Sequence, residues 1–316
     1  MSRRDGLFGA PPARELEAFG PGKVILLGEH AVVYGHPALA VPLSLGITAR
    51  GVPDPDCRLD LPPGLSPSQR GALREAFDRA AEAAGHPGIR ITLHSTLPVS
   101  MGLGSSAALA VAVSRLLLRA AKARSTPADV LELALQMEQA FHGTPSGVDH
   151  TCSAHGRAIL YRRAVEGRPG RVRRIRVGRE ATLLLALVGP RRATQETVAA
   201  LRARQSRWPN RYARLFEAMG QLALEGTRAL EAGDLDSLGD AMNVNHGLLA
   251  AVGVSSPALD HAVAALRQAG ALGAKLTGAG GDGGAVVALF RRPPRHRAAL
   301  ERAGLTLFES RLKVDR

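Results

Sequence analysis

With 316 residues, 45% of them hydrophobic and 22% charged, the chain has the composition of a globular protein large enough for two ordinary domains. It shows no apolar run of the roughly 18 residues a membrane helix needs. Its basic start is not followed by the apolar stretch of a signal peptide, and its two cysteines, Cys57 and Cys152, lack metal-ligand spacing and suit a reducing cytoplasm. The net charge of +13 invites a nucleic-acid reading, yet the arginines are scattered, aromatics make up 3%, and no nucleic-acid module is legible; the expectation is a solvated basic face or an attraction for anionic substrates, with no nucleic acid and no membrane as partner.

In chain order, KVILL (23–27) predicts a short buried strand ended by Gly28, and residues 32–51 continue with strand character punctuated at Gly35 and Pro37. Residues 52–68 are Pro-rich and read as a loop, 68–85 as a helix stopped by Gly85, and 88–97 as a strand by its period-two alternation. A Gly-rich segment, PVSMGLGSSA (98–107), leads into a helix over 105–124. Ser125-Thr126-Pro127 opens a second helix reaching Phe141, through an N-cap followed by proline at the first helical position. HGTPSGVDH (142–150) reads as a turn-rich loop and ATLLLALVG (181–189) as an apolar strand opening a second domain. Helical patterning over 195–270 breaks at Gly233 and Gly253. Strands at 273–278 and 284–290 flank a second Gly-rich loop, AGGDG (279–283), and a helix, a strand and a basic tail end the chain. The mixed order points to an α+β fold.

Within SMGLGSSA, Gly102 and Gly104 let the backbone approach a ligand in torsions closed to other residues. The free amides and dipole of the helix that follows favour an anion. Ser105 and Ser106 add hydroxyls able to bind phosphate or Mg²⁺. The plainer alternative is a glycine turn before a serine-capped helix. The lysine of a GxxxxGK[ST] loop is absent, and two helices follow where a dinucleotide fingerprint needs one helix and a second parallel strand. Glu138 and Asp149 are two acids near a glycine turn, of the kind phosphoryl transfer uses for Mg²⁺ and for the acceptor hydroxyl, though such pairs are common on any surface. Lys23, Glu29 and His30 surround one short strand; a surface ion pair and an ordinary half-buried histidine would account for them, whereas in a functional reading the lysine would keep a catalytic Asp ionised. KLTGAGGDGG (275–284) carries more glycine than a hairpin requires.

Together these segments resemble the GHMP kinase superfamily. PGKVILLGEHAVVYGHPALA is similar to its first motif, PVSMGLGSSAA to its second and KLTGAGGDGG to its third, in the right order across nearly the whole chain. The similarity is closest to the mevalonate kinase family. Galactokinases carry an Asp shortly after the Glu-His pair, where Ala31-Val32-Val33 stand here, and homoserine kinases lack an acid equivalent to Asp149. MNVNHGLLAAVGVSSPALD (242–260) is like that family's helical stretch with a substrate-side loop, whereas Asp282 departs from the usual glycine run of the third motif.

The resemblance implies a two-domain α+β GHMP kinase fold. Its N-terminal ATP-binding domain (1–180) would be ribosomal protein S5 domain 2-like and its C-terminal domain (181–316) ferredoxin-like. It implies Asp149 as catalytic base with Lys23 as cationic neighbour, and Ser106 and Glu138 as Mg²⁺ ligands. Lys23, Ser95, Ser100, Met101, Gly102, Leu103, Gly104, Ser105 and Ser106 would surround ATP, and Glu29, His30, Asp149, Arg192 and Thr194 the acceptor. The implied reaction is ATP-dependent phosphorylation of the 5-hydroxyl of (R)-mevalonate, an early step of isoprenoid synthesis, by a cytoplasmic protein of a family that often forms homodimers. Two alternatives stay open: phosphomevalonate kinase or another GHMP kinase with a different acceptor, and a nucleotide-binding sensor without catalysis.

Overall fold

The computed structural model describes residues 15–98, 102–141, 147–167, 169–189, 194–295 and 297–314. Its first sheet is organised on β2 (Pro37–Pro53), which follows β1 (Leu16–Leu27) after a short 3-10 turn at Ala31–Tyr34. β1 runs antiparallel along one edge of β2, from Leu16 opposite Gly51 to Leu27 opposite Leu39. The other edge is shared by β4 (Ile89–Ser95) and β5 (Ile159–Arg162), beyond which lie the two-residue β3 (Arg58–Leu59) and β6 (Arg171–Arg174). Four helices connect these strands: α1 (Pro67–Ala83), α2 (Ser105–Ala120), α3 (Pro127–Phe141) and α4 (Val148–His155).

The second sheet is antiparallel, with β7 (Ala181–Val188), β8 (Gly273–Thr277), β9 (Gly284–Phe290) and β10 (Thr306–Leu312) in the order β10-β7-β9-β8. Between β7 and β8 run α5 (Thr194–Arg207), α6 (Pro209–Ala232), α7 (Leu235–Ala251) and α8 (Pro257–Gln268), and α9 (Arg297–Arg302) joins β9 to β10. This is the order of a ferredoxin-like sheet, as the resemblance implies.

β7 shows why the two halves share a core. Along a strand, successive side chains face opposite sides. Leu183 and Leu185 join the hydrophobic cluster of the first sheet with Leu26, Val41 and Ala112, whereas Leu184 and Ala186 join Phe216, Leu259 and Val286 on the other side. Both faces of β7 are buried, which is why its sequence is a continuous apolar run rather than an alternating one.

Several boundaries differ from the sequence expectation. β1 starts seven residues earlier than KVILL, because Gly20 and Gly22 are sites of close packing: a Cβ on Gly20 would lie 1.9 Å from the Ala108 carbonyl oxygen of α2. The expected loop at 52–68 contains β3, and α2 ends at Ala120 rather than 124. An unexpected helix break falls at Trp208, before Pro209. Residues 142–146 of the expected 142–150 loop lie outside the described residues, but Asp149 is helical, in the first turn of α4. The charged stretch after β5 forms an edge strand, β6, whose four residues are all exposed, a placement in which arginines discourage pairing with another chain.

Candidate active site

Three elements converge on Lys23. Its backbone N–H donates to the Leu103 carbonyl (2.9 Å), tying β1 to the glycine loop before α2. Its ammonium donates to the Gly102 carbonyl (3.1 Å) and pairs with Asp149 Oδ1 (3.1 Å). Lys23 is 3% exposed and Asp149 35%, so the lysine is part of the wall and the carboxylate opens outward. Gly104 takes φ 76° at the N-cap of α2, and a Cβ there would come within 3.1 Å of the Lys23 side chain. Only glycine allows both the torsion and the approach.

Asp149 is held by the turn that begins α4. Gly147 caps that helix at φ 90°, and a Cβ on it would sit 2.0 Å from the Tyr161 hydroxyl. Behind Asp149, Ser153 Oγ donates to the Pro21 carbonyl (2.8 Å), fixing α4 against β1. Burial holds His150 below the usual histidine range, and Asp149 opposes that shift. Burial also pushes the neighbouring Cys152 thiol up, so it stays protonated and unreactive.

The third glycine segment completes the wall. A Cβ on Gly278 would lie 3.5 Å from the Gly102 carbonyl oxygen, so the two glycine loops stand against each other. Gly280 (φ 69°) and Gly281 (φ 100°) wrap the Val254 carbonyl, which accepts from Gly281 N–H (2.9 Å). Just before them, Thr277 Oγ1 accepts from Ile25 N–H (3.2 Å) and donates to Ile25 C=O (3.1 Å), joining β8 to β1 through one hydroxyl.

Among the remaining expected residues, Ser105 Oγ donates to the Pro98 carbonyl (3.4 Å) at the helix entrance. Ser106 is half-buried in the first turn of α2, and Glu138 is buried (3% exposed) on α3. A hydroxyl and a carboxylate are hard oxygen donors, the kind Mg²⁺ takes while retaining phosphate and water ligands. Ser95 is engaged locally, its hydroxyl accepting from Leu97 N–H and donating to Leu97 C=O (3.2 Å each). Ser100, Met101 and Arg192 lie outside the described residues; Thr194 opens α5, with its side chain outside them.

Glu29 and His30 lie beside one another with different surroundings. Glu29 is 1% exposed: Oε2 accepts from Asn245 Nδ2 (2.9 Å) and Oε1 pairs with the Lys275 ammonium. His30 rests by the Gly278–Ala279 backbone, and burial, reinforced by Lys275, lowers its pKa to about 4. Lys275, Asn245 and Thr277 were not singled out from sequence. The available signal was a lysine inside a fully buried strand, GAKLT, which demands a carboxylate partner somewhere in the fold.

Two family profiles match the chain: GHMP kinases N terminal domain over residues 71–157 and GHMP kinases C terminal over 227–306. It is 34% identical over 296 positions to the mevalonate kinase of Thermococcus sibiricus, covering 84% of this chain and 86% of that one. It is 32% identical over 329 positions to that of Pyrococcus abyssi, covering 94% and 96%. Its structure superposes on the crystal structure of L. major mevalonate kinase in complex with R-mevalonate with a TM-score of 0.81 at 29% identity, covering 95% of this chain and 96% of that one. With the three glycine-bearing segments meeting around Lys23, the chain belongs to the GHMP kinase superfamily and, within it, to the mevalonate kinase family.

Proposed function

We propose that the chain transfers the γ-phosphoryl group of ATP to the 5-hydroxyl of (R)-mevalonate, giving ADP and 5-phosphomevalonate. The observation that carries this reading is the Lys23 ammonium, which touches both the Asp149 carboxylate and the carbonyl of Gly102 in the phosphate loop. Relatives bearing the mevalonate kinase name, and the R-mevalonate complex to which the fold is similar, support the acceptor.

In this mechanism the triphosphate lies at the N-terminus of α2, where loop amides and the helix dipole favour negative charge. The acceptor hydroxyl faces Asp149. As its oxygen bonds to the γ-phosphorus and the bond to the bridging β-oxygen breaks, the hydroxyl proton passes to the Asp149 carboxylate. An alcohol is far less acidic than a carboxylic acid, so that transfer comes late, and Asp149 chiefly orients the nucleophile. Lys23 holds the carboxylate in place and adds positive charge beside the transferring group. Ser106 and Glu138 are the residues that would hold Mg²⁺, which when bound neutralises phosphate charge. Ser95, Ser100 and Met101 with residues 102–106 would line ATP, and His30, Arg192 and Thr194 the acceptor, across a division of the chain into 1–180 and 181–316. A homodimer in the cytoplasm completes the reading, supported by the family resemblance alone. No helix among the described residues is long and apolar enough to cross a membrane.

The test is ADP release with mevalonate, phosphomevalonate, galactose and homoserine in parallel. Turnover with mevalonate is expected; turnover with another acceptor and none with mevalonate would replace the assignment by that kinase. Light scattering checks the dimer.

A further inference from the structure

His30 sits in an unusual backbone. Its torsions are φ 60° and ψ −46°, and the Ala31 N–H donates across it to the Glu29 carbonyl (2.7 Å). That is a γ-turn of the rarer, strained hand, which an L-residue adopts only when its surroundings over-determine it. One residue earlier stands the Glu29 side chain, buried in the core. Both carboxylate oxygens are occupied in the core, by Asn245 of α7 and Lys275 of β8.

Lys275 is fully buried, and its three ammonium protons have three acceptors: Glu29 Oε1, the Leu276 carbonyl (2.6 Å) and the Ile25 carbonyl (3.4 Å). Two of those acceptors lie on β1 and the residues that extend it, so one ammonium ties the second sheet to the segment carrying the turn. Burial pulls Lys275 below the usual lysine range, and Glu29 pulls it back. A buried ion pair is weak evidence for stability, because apolar residues of similar volume commonly serve as well. Its better-attested use is to fix a geometry, and the geometry adjacent to this pair is the strained turn. The turn presents His30 to the Gly278–Ala279 backbone, where the third glycine loop meets the second.

We infer that Lys275 is a positioning residue for the acceptor side of the site: with Asn245 it clamps the Glu29 carboxylate in the core, and the clamp holds the γ-turn that presents His30. Glu29 acts through that turn and not by touching the acceptor. The inference rests on the proposed kinase reading.

A double-mutant cycle tests it, using Lys275→Met, Glu29→Gln and the double variant in the full-length protein. Steady-state constants for mevalonate and for ATP are measured per folded molecule, with folding followed by circular dichroism. Each single variant is expected to lower kcat/KM for mevalonate by about tenfold to a hundredfold, the scale of a displaced positioning group. KM for ATP should stay within about twofold in each, since the phosphate loop packs on Lys23 rather than on Lys275. The double variant should be no worse than either single one, because both remove the same clamp.

Lys275→Met leaves the Glu29 charge buried; if that charge prevents folding, Glu29→Gln is compared with the neutral double variant, and Lys275→Met is expected to be silent on that background. A wild-type kcat/KM for mevalonate in Lys275→Met overturns the inference, as does a further loss when Lys275→Met is added to Glu29→Gln. An absence of wild-type turnover with mevalonate would sink the acceptor assignment, and the cycle would then be run with whichever acceptor supports ADP release.

Discussion

Lys23 divides its ammonium between a carboxylate and a main-chain carbonyl, and each contact serves a different part of the site. In the proposed reaction the carboxylate contact would set where the acceptor hydroxyl is met, and the carbonyl contact where the phosphate loop begins. Asp149→Asn keeps the side-chain shape but removes the proposed proton acceptor. It is expected to lower kcat by about a hundred- to ten-thousandfold while a fluorescent ATP analogue still binds; wild-type turnover would show that the base lies elsewhere. Thr277 is informative at the same scale. Thr277→Val keeps the volume but leaves the Ile25 N–H without its partner and the Ile25 C=O with only the longer Lys275 contact (3.4 Å), at a cost of about 1–3 kcal/mol, whereas Thr277→Ser retains the oxygen and should lie within about 1 kcal/mol of wild type. Urea unfolding of the two variants side by side reads the difference.

Among the elements, the glycine loops carry the tightest constraints. Gly280 has φ 69°, and a Cβ on it would lie 2.0 Å from the Val254 carbonyl oxygen, a backbone atom that moves only with the α7–α8 connection. Gly280→Ala is therefore expected to destabilise the fold by about 1–3 kcal/mol and to raise KM for ATP; an unchanged melting temperature would contradict the packing. Most strands and helices were legible because their periodicities and caps are local, as with Thr126, whose hydroxyl accepts from Asp129 N–H just before Pro127 opens α3. The glycine-proline run at 20–22 was misleading for a non-local reason: residues that usually break a strand here make room for α2. Asp149 read as a loop residue because the cap that starts α4 is a glycine, which signals a turn as readily as a helix. The chemistry on single segments, Lys23, Asp149 and the glycine loop, could be proposed from sequence. The Glu29–Lys275–Asn245 cluster could not, since its members lie on β1's extension, β8 and α7 and only the fold brings them together.

For the whole molecule, the buried histidines make acid the relevant stress. Burial lowers the pKa of His30 from 6.5 to about 4, and His150 and His246 are also shifted down, chiefly by burial. The unfolded chain protonates these rings near pH 6.5, but the folded chain does not protonate His30 until about pH 4. The unfolded state therefore binds more protons across that window, and stability is full above it and falls as pH drops through it. His30 alone accounts for no more than about 3 kcal/mol of that loss. Urea midpoints measured between neutral pH and pH about 4 should decline, and a His30→Gln variant should show a shallower decline; identical slopes would show that other groups govern the acid limit.

The joint between the two sheets has a mechanical side. Where β1 meets β8, the two Thr277 hydrogen bonds converge on one oxygen atom instead of spreading along a ladder. A ladder fixes a line and resists both sliding and turning. Two bonds that share an atom fix a point, which by itself resists sliding but not turning. Turning is stopped elsewhere, by the Lys275 ammonium on the Ile25 carbonyl and by Ser310 Oγ of β10, which accepts from Ser44 N–H of β2 (2.8 Å), so the sheets are pinned at more than one point.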